Sequence, residues 1–215
     1  MALEFKIIPT GALAANCIVV WDGASAASRR SAWLIDPGQD ADALADFCDS
    51  HGLDPVLALF THGHFDHTGA LPGLLARYPG LAARIGKADL EMVGHPMNAW
   101  PPDYPPIERP ASLRGDIEDG AAVSAGVISA VALATPGHTP GGMCYSFSGG
   151  MTLVTGDTLF AGSCGRTDFP GGSMSAMRAS LARLAALPGD TRVIPGHGGA
   201  TTIARELAEN PFMQF

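Results

Sequence analysis

The amino-acid sequence predicts an α+β fold in which two β-sheets pack face to face beneath an outer cover of helices. Three observations carry this expectation. Short, β-branched apolar runs bounded by Gly, Pro, Asn or Asp recur along the chain. They fall into two groups, one before residue 61 and one after residue 120. Segments with helical spacing lie between and after those groups. With 215 residues the chain can bury one sizeable core, so a single domain over residues 1–215 is expected.

Leu3–Ile8, Cys17–Trp21 and Ala32–Ile35 read as the first strands. Asp40–His51 follows as a helix, with Ala43, Leu44 and Phe47 at apolar spacing. Val56–Phe60 is a buried strand by composition, and a second helix covers Thr68–Tyr78, ended by Pro79-Gly80. The stretch Gly94–Pro110 carries six prolines with a Trp and a Tyr, too much proline for regular structure and too much aromatic surface for a linker. A loop packed on the surface and overhanging a pocket is expected there. The second group comprises strands near Ala121–Val123, Val127–Ala134, Met143–Phe147 and Met151–Thr155. A helix at Ser173–Leu187, a strand at Arg192–Ile194 and a helix at Thr201–Glu209 complete the chain.

Composition removes several functions. At 47% hydrophobic and 16% charged the chain has the make-up of a folded globular protein, and a net charge of -8 argues against a nucleic-acid backbone as partner. No apolar run approaches the roughly 20 residues that span a bilayer. The N-terminal MALEFKIIPTGALAAN has no basic segment followed by a continuous apolar one, and Cys17, Cys48, Cys144 and Cys164 are scattered. A cytoplasmic protein with free, packed thiols and no membrane partner is expected.

The chemistry concentrates in Thr61-His62-Gly63-His64-Phe65-Asp66-His67, which places four metal-ligating side chains within six residues just after a strand. If the chain stays extended, His62 and His64 point the same way, and Asp66 shares their parity. Three further apolar runs end in a potential ligand: Gly137-His138, Gly156-Asp157 and Gly196-His197. Glycine directly before the ligand lets the backbone turn and approach a site closely. Five imidazoles and two carboxylates without a thiolate suit zinc, iron(II) or manganese. Seven ligands exceed what one tetrahedral ion takes and suit two ions sharing a carboxylate, an arrangement that favours hydrolysis. His51 and His95 lie outside this pattern, and Asp36 reads as a strand-ending turn residue that could also orient a ligand.

THGHFDH, then Pro136-Gly137-His138, Gly156-Asp157 and Pro195-Gly196-His197 in that order resemble the metallo-β-lactamase superfamily over nearly the whole chain. The resemblance implies a four-layer αββα sandwich with the metals at one edge between the sheets. It implies one ion held by His62, His64 and His138 and another by Asp66, His67 and His197, with Asp157 bridging. The segments TGDTLFAGSCGRTDF and VIPGHGGATTIARELAENPF are similar to the glyoxalase II branch, especially its short bacterial members. That branch hydrolyses glutathione thioesters such as S-lactoylglutathione. The implied function is a binuclear, zinc-dependent hydrolase (iron or manganese as alternatives) acting on a small acyl compound through a metal-bound hydroxide. Asp66 would orient the nucleophile or accept its proton. Arg166 falls near the branch's basic substrate contact, with an ion pair to Asp168 as its competing role. Two rivals remain. One is a mononuclear iron oxygenase resembling the persulfide dioxygenases, which share HxHxDH and the Cys164–Phe169 segment; the other is a lactone or ester hydrolase of the same fold.

Overall fold

The computed structural model of the protein describes residues 2–214. Six strands build the first sheet in chain order: β1 (Leu3–Thr10), β2 (Ala15–Asp22), β3 (Arg30–Ile35), β4 (Leu53–Leu59), β5 (Ala82–Gly86) and β6 (Leu113–Ile117). The first three pair antiparallel and the rest parallel. Helix α1 (Ala41–Ser50) connects β3 to β4, and α2 (Phe65–Thr68) and α3 (Leu71–Arg77) lie between β4 and β5.

The second sheet begins with β7 (Ala122–Ala125), β8 (Ile128–Ala134), β9 (Met143–Phe147) and β10 (Thr152–Gly156). A small ribbon, β11 (Leu159–Phe160) with β12 (Ser163–Cys164), and helix α4 (Met174–Ala185) come next. The chain then adds β13 (Arg192–Pro195), β14 (Thr201–Thr202) and α5 (Ile203–Glu209). The spatial order is β14-β13-β10-β9-β8-β7, and β10 and β13 run parallel.

Strand periodicity explains the layering. In β2, Cys17, Val19 and Trp21 face one core while Ile18 and Val20 face another; β3 splits Ala32 and Leu34 from Trp33 and Ile35 in the same way. A strand buried on both faces needs apolar residues at both parities, which is why Cys17–Trp21 shows no polar alternation. The first core lies under α1 and α3 through Leu44, Cys48, Leu71 and Leu74. The central core lies between the sheets, where Phe147 meets Phe5 and Trp33 edge-on at 5.4 and 5.9 Å. The third packs α4 and α5 on the second sheet through Met177, Leu181, Leu184 and Ile203. The result is the expected four-layer αββα sandwich.

Several details depart from the sequence reading. The helix expected over 68–78 is two helices, because the chain is already helical at Phe65 and restarts at Leu71 beyond Gly69 and Ala70. Strands β5 and β6 and the β11–β12 ribbon were not anticipated, and the helix expected from Thr201 starts at Ile203, because Thr201 and Thr202 pair with β13 as a short strand. The Pro-rich stretch is irregular as expected, closed on itself by paired backbone hydrogen bonds between Trp100 and Tyr104 (2.8 and 2.7 Å). All four cysteines are free thiols, three of them buried. Among the described residues no helix is long and apolar enough to cross a membrane.

Candidate metal centre

Four strand ends converge on one edge of the sandwich. β4 leads into His62, His64, Asp66 and His67; β8 leads to His138, β10 to Asp157 and β13 to His197. Their ligating atoms form two sets, each compact enough to share an ion: His62, His64 and His138, then Asp66, His67 and His197. Asp157 stands between the sets. Its Oδ1 lies 3.5 Å from His67 Nε2, and its Oδ2 lies 3.5 Å from His138 Nε2 and 3.8 Å from His197 Nε2. Asp66 Oδ2 lies 3.4 Å from His197 Nε2 and 3.7 Å from His67 Nε2. The strand-parity expectation for Asp66 fails, because the chain leaves the extended conformation at Phe65 and the helical turn sends this carboxylate towards the second set.

Hydrogen bonds on the far side of each ring set its tautomer. A carbonyl or carboxylate oxygen can only accept, so His138 Nδ1 donates to Arg166 O (2.7 Å), His197 Nδ1 to Leu13 O (3.2 Å) and His67 Nδ1 to Asp36 Oδ2 (3.1 Å). Thr61 gives its hydroxyl proton to Asp36 Oδ2 (2.6 Å), which leaves its oxygen to accept from His62 Nδ1 (3.0 Å). Each of these four rings then turns Nε2 inward. Fixing the ring through its outer nitrogen is how proteins orient imidazoles for metals. Asp36 also lies close enough to His62 and His67 to share an ion with them, but it accepts from Thr61 N (2.7 Å) as well, so both its oxygens are engaged and its role is to support the site. It does so from a left-handed backbone (φ 52°), combining the turn and orienting roles considered for it.

The close approach has a backbone requirement. A Cβ on Gly196 would stand 2.3 Å from Asp157 Oδ1 and 2.9 Å from the His67 ring, so only glycine lets this loop close on the centre.

A family model described as the metallo-beta-lactamase superfamily matches residues 10–197. The chain belongs to the metallo-β-lactamase superfamily. Its relatives in this superfamily include the hydroxyacylglutathione hydrolase GloC of Haemophilus influenzae, 32% identical with 98% of both chains covered. Among solved structures it is similar to the B3 metallo-β-lactamase BLEG-1 (30% identity, TM-score 0.87, 99% of this chain and 100% of that one). It is also similar to a di-iron-bound form of TTHA1623 (35% identity, TM-score 0.84, 96% of this chain and 99% of that one).

Proteins of this superfamily bind divalent metals, and the side chains present fit such ions. Of the buried side-chain polar atoms without a partner among the described residues, three are His62 Nε2, His67 Nε2 and Asp157 Oδ1, all aimed into the centre. His64 Nδ1 and His138 Nε2 approach to 2.8 Å, a contact between two lone pairs unless a cation or proton lies between them. Burial, reinforced by His138, pushes His64 down to about 3 and so disfavours its charged ring. A neutral His64 ring bridges the contact only with its proton on Nδ1, and the Nε2–H tautomer leaves both lone pairs to a cation. Burial likewise holds His62 well below its ordinary value. In the second set burial opposes the charged ring of His67, but Asp66, Asp157 and Asp36 prevail and lift it to about 10. Burial raises the Asp66 carboxyl, and the neighbouring His67 and His197 outweigh it, holding Asp66 below the usual carboxylate range. The centre as a whole calls for positive charge.

Two supports had no sequence signal. Asp89, fully buried, accepts from Gly63 N (3.0 Å), Thr139 Oγ1 (2.7 Å) and Gly141 N (2.6 Å), tying the His62–His67 turn to the loop that follows His138. Asn98 in the Pro-rich loop donates to Gly63 O (2.7 Å) and accepts from Phe65 N (3.2 Å). That loop braces the opposite side as well, because Leu13 N donates to Tyr104 Oη (2.7 Å) and the Leu13 carbonyl holds His197. The centre opens into a cleft of about 530 Å³ walled by Leu13, Phe65, Trp100, Phe160 and Phe169. Arg166 lines this cleft with its guanidinium in an exposed ion pair. It makes two 2.7 Å contacts to Asp168 and lies 3.9 Å over the Phe169 ring, the ion-pair role weighed against substrate contact.

Proposed function

We propose that this chain hydrolyses thioesters or closely related acyl compounds at a centre of two divalent ions. The observation that carries the reading is the Asp157 carboxylate set between two complete three-ligand groups. His62, His64 and His138 would hold one ion and Asp66, His67 and His197 the other. Two such ions supply a hydroxide near neutral pH and polarise a carbonyl oxygen. The chain's own contribution is alignment. Four of the five rings are fixed from behind through Nδ1, so little reorganisation of those ligands is left for the reaction itself. Asp66, held ionised against its burial by His67 and His197, would orient the attacking water; the same neighbours make it a weak base, so accepting the proton is its lesser role. The apolar cleft walls shield the reacting carbonyl from bulk water.

The donor set, imidazole and carboxylate without thiolate, suits zinc, with iron or manganese compatible. A thioester is the acyl class suggested by the hydroxyacylglutathione hydrolase relative, and S-lactoylglutathione is the reference substrate to assay. An oxygenase using two histidines and one aspartate would leave the second group without a role. A cleft of this size takes a small molecule, and the free thiols suit a cytoplasmic setting.

The test is thiol release from a thioester panel by zinc-loaded protein, with bound metal measured in parallel. Asp157→Asn and His62→Ala should each abolish turnover. Undiminished hydrolysis by either variant at full metal content would sink the reading.

A further inference from the structure

A second cavity of about 380 Å³ adjoins the metal cleft on the far side of His64, Phe65 and Phe169, and those three side chains line both spaces. The rest of its wall includes Ala88, Met92 and Met97. Met97 is 83% exposed, an unbranched thioether held against solvent where a polar residue would serve a loop equally well. Methionines adapt their shape to apolar ligands of varying length.

The charges around the two spaces point the same way. Arg166 is the one Lys or Arg among their lining residues, and its guanidinium is occupied by Asp168 and Phe169. Glu91, on the wall of the second cavity, is paired to Arg109 at 2.8 Å. Among the described lining residues the one cation, Arg166, would have to leave its exposed pair with Asp168 to meet an anionic substrate arm. The second cavity's surface is mostly thioether, aromatic ring and methyl, with His64, Glu91, His95 and Asn98 as its polar lining.

We propose that this second cavity binds an unbranched apolar arm of the substrate while the scissile carbonyl lies at the metal centre, so that the preferred substrates are medium-chain acyl or alkyl thioesters. The inference rests on the hydrolytic reading above. Because His64 and Phe65 belong to both spaces, one molecule can reach from the centre across that shared wall. The site discriminates by burial of methylenes, and full burial is worth about fourfold per methylene. The cavity is open on one side, so about twofold per methylene is expected here.

Two measurements on the zinc-loaded protein decide it. In the first, kcat/KM is compared for N-acetylcysteamine thioesters with acetyl, butyryl, hexanoyl and octanoyl groups. A parallel series holds the acyl group at acetyl and lengthens an alkyl thiol, which shows which half of the substrate carries the arm. One series should climb by about twofold per methylene, or roughly 60-fold over six, and its longest member should exceed S-lactoylglutathione. Ala88→Phe, a substitution at an exposed position on the cavity wall, should flatten that climb.

In the second, protein labelled with methyl-13C methionine is titrated with octanamide. The Met92 and Met97 methyl signals, assigned through Met92→Leu and Met97→Leu, should shift together while the distant Met151 signal stays. Flat chain-length profiles in both series, or octanamide shifts confined to other methionines, overturn the proposal even if thioesters are hydrolysed. If no thioester is hydrolysed, the hydrolytic reading fails by itself, and the octanamide titration still decides whether the cavity takes an apolar chain.

Discussion

Replacing Asp36 with Asn alters one atom of a buried side chain and leaves its volume almost unchanged, yet it reverses the sense of a junction on which two rings depend. Asp36 Oδ1 accepts from Thr61 N, and Oδ2 accepts from both Thr61 Oγ1 and His67 Nδ1. In one orientation the new amide nitrogen faces the Thr61 hydroxyl and the His67 N–H. In the other it faces the buried Thr61 backbone N–H. Thr61 can rotate its proton away, but His67 can satisfy the amide only by accepting at Nδ1, which moves its proton to Nε2 and removes the inward lone pair. A hydrogen bond to a charged acceptor contributes about 1.5–3 kcal/mol, so affinity at the Asp66, His67 and His197 set should fall about ten- to a hundredfold. Affinity at the His62, His64 and His138 set should change much less. The assay is zinc content across a series of buffered free-zinc concentrations, with the thermal transition of metal-free protein recorded to show that the variant folds. Two transitions are expected in the parent and a selective shift of one in the variant. Binding of both ions at parental affinity would refute the tautomer argument.

Tyr104→Phe removes the acceptor for Leu13 N, leaving the carbonyl that holds His197 on a looser turn. The variant should lose about 1 kcal/mol of stability in a denaturant titration and bind the second ion several-fold more weakly, with Tyr104→Trp no better. Gly196→Ala drives a methyl towards Asp157 Oδ1 and the His67 ring. It should yield folded protein, by circular dichroism, with less than one equivalent of metal and no thioester turnover. With His67 raised to about 10, the metal-free ring carries its extra proton at pH 7 and must give it up to bind. Calorimetry in buffers of differing ionisation enthalpy should therefore register at least one proton released at pH 7 and fewer as pH approaches 10. No release at pH 7 would contradict the assignment.

What the sequence made legible was what is local. An apolar run followed by Gly-His or Gly-Asp is read within a few residues, and four such strand ends brought His62, His64, Asp66, His67, His138, Asp157 and His197 forward together. The parity of Asp66 misled because periodicity cannot say where extended chain becomes helix, and here it does so at Phe65. Asp89 was invisible for a different reason. Its three partners are 26, 50 and 52 residues away, and two of them are backbone N–H groups that leave no trace in residue type. Strands β5 and β6 were missed because AARIG and LRGDI are short and interrupted by Gly and Arg. What stabilises them is parallel pairing and a cross-strand contact between Arg84 and Asp116 at 2.8 Å, which only the assembled sheet supplies. The Pro-rich loop was recognised as a surface element, but its two braces, Asn98 and Tyr104, act through backbone atoms of distant segments.

The division of the centre between the sheets has a consequence for how the chain matures. The turn after β4 supplies His62, His64, Asp66 and His67 from the first sheet, while His138, Asp157 and His197 come from the second. Neither half owns either of the two sets flanking Asp157; the first sheet alone offers only the Asp36, His62 and His67 group, whose carboxylate is already engaged by Thr61 and His67. The His62, His64 and His138 set is complete once the end of β8 has docked, whereas the Asp66, His67 and His197 set waits for the residue after β13. Ion uptake at the second set during refolding is therefore a clock for the docking of β13, separable from uptake at the first.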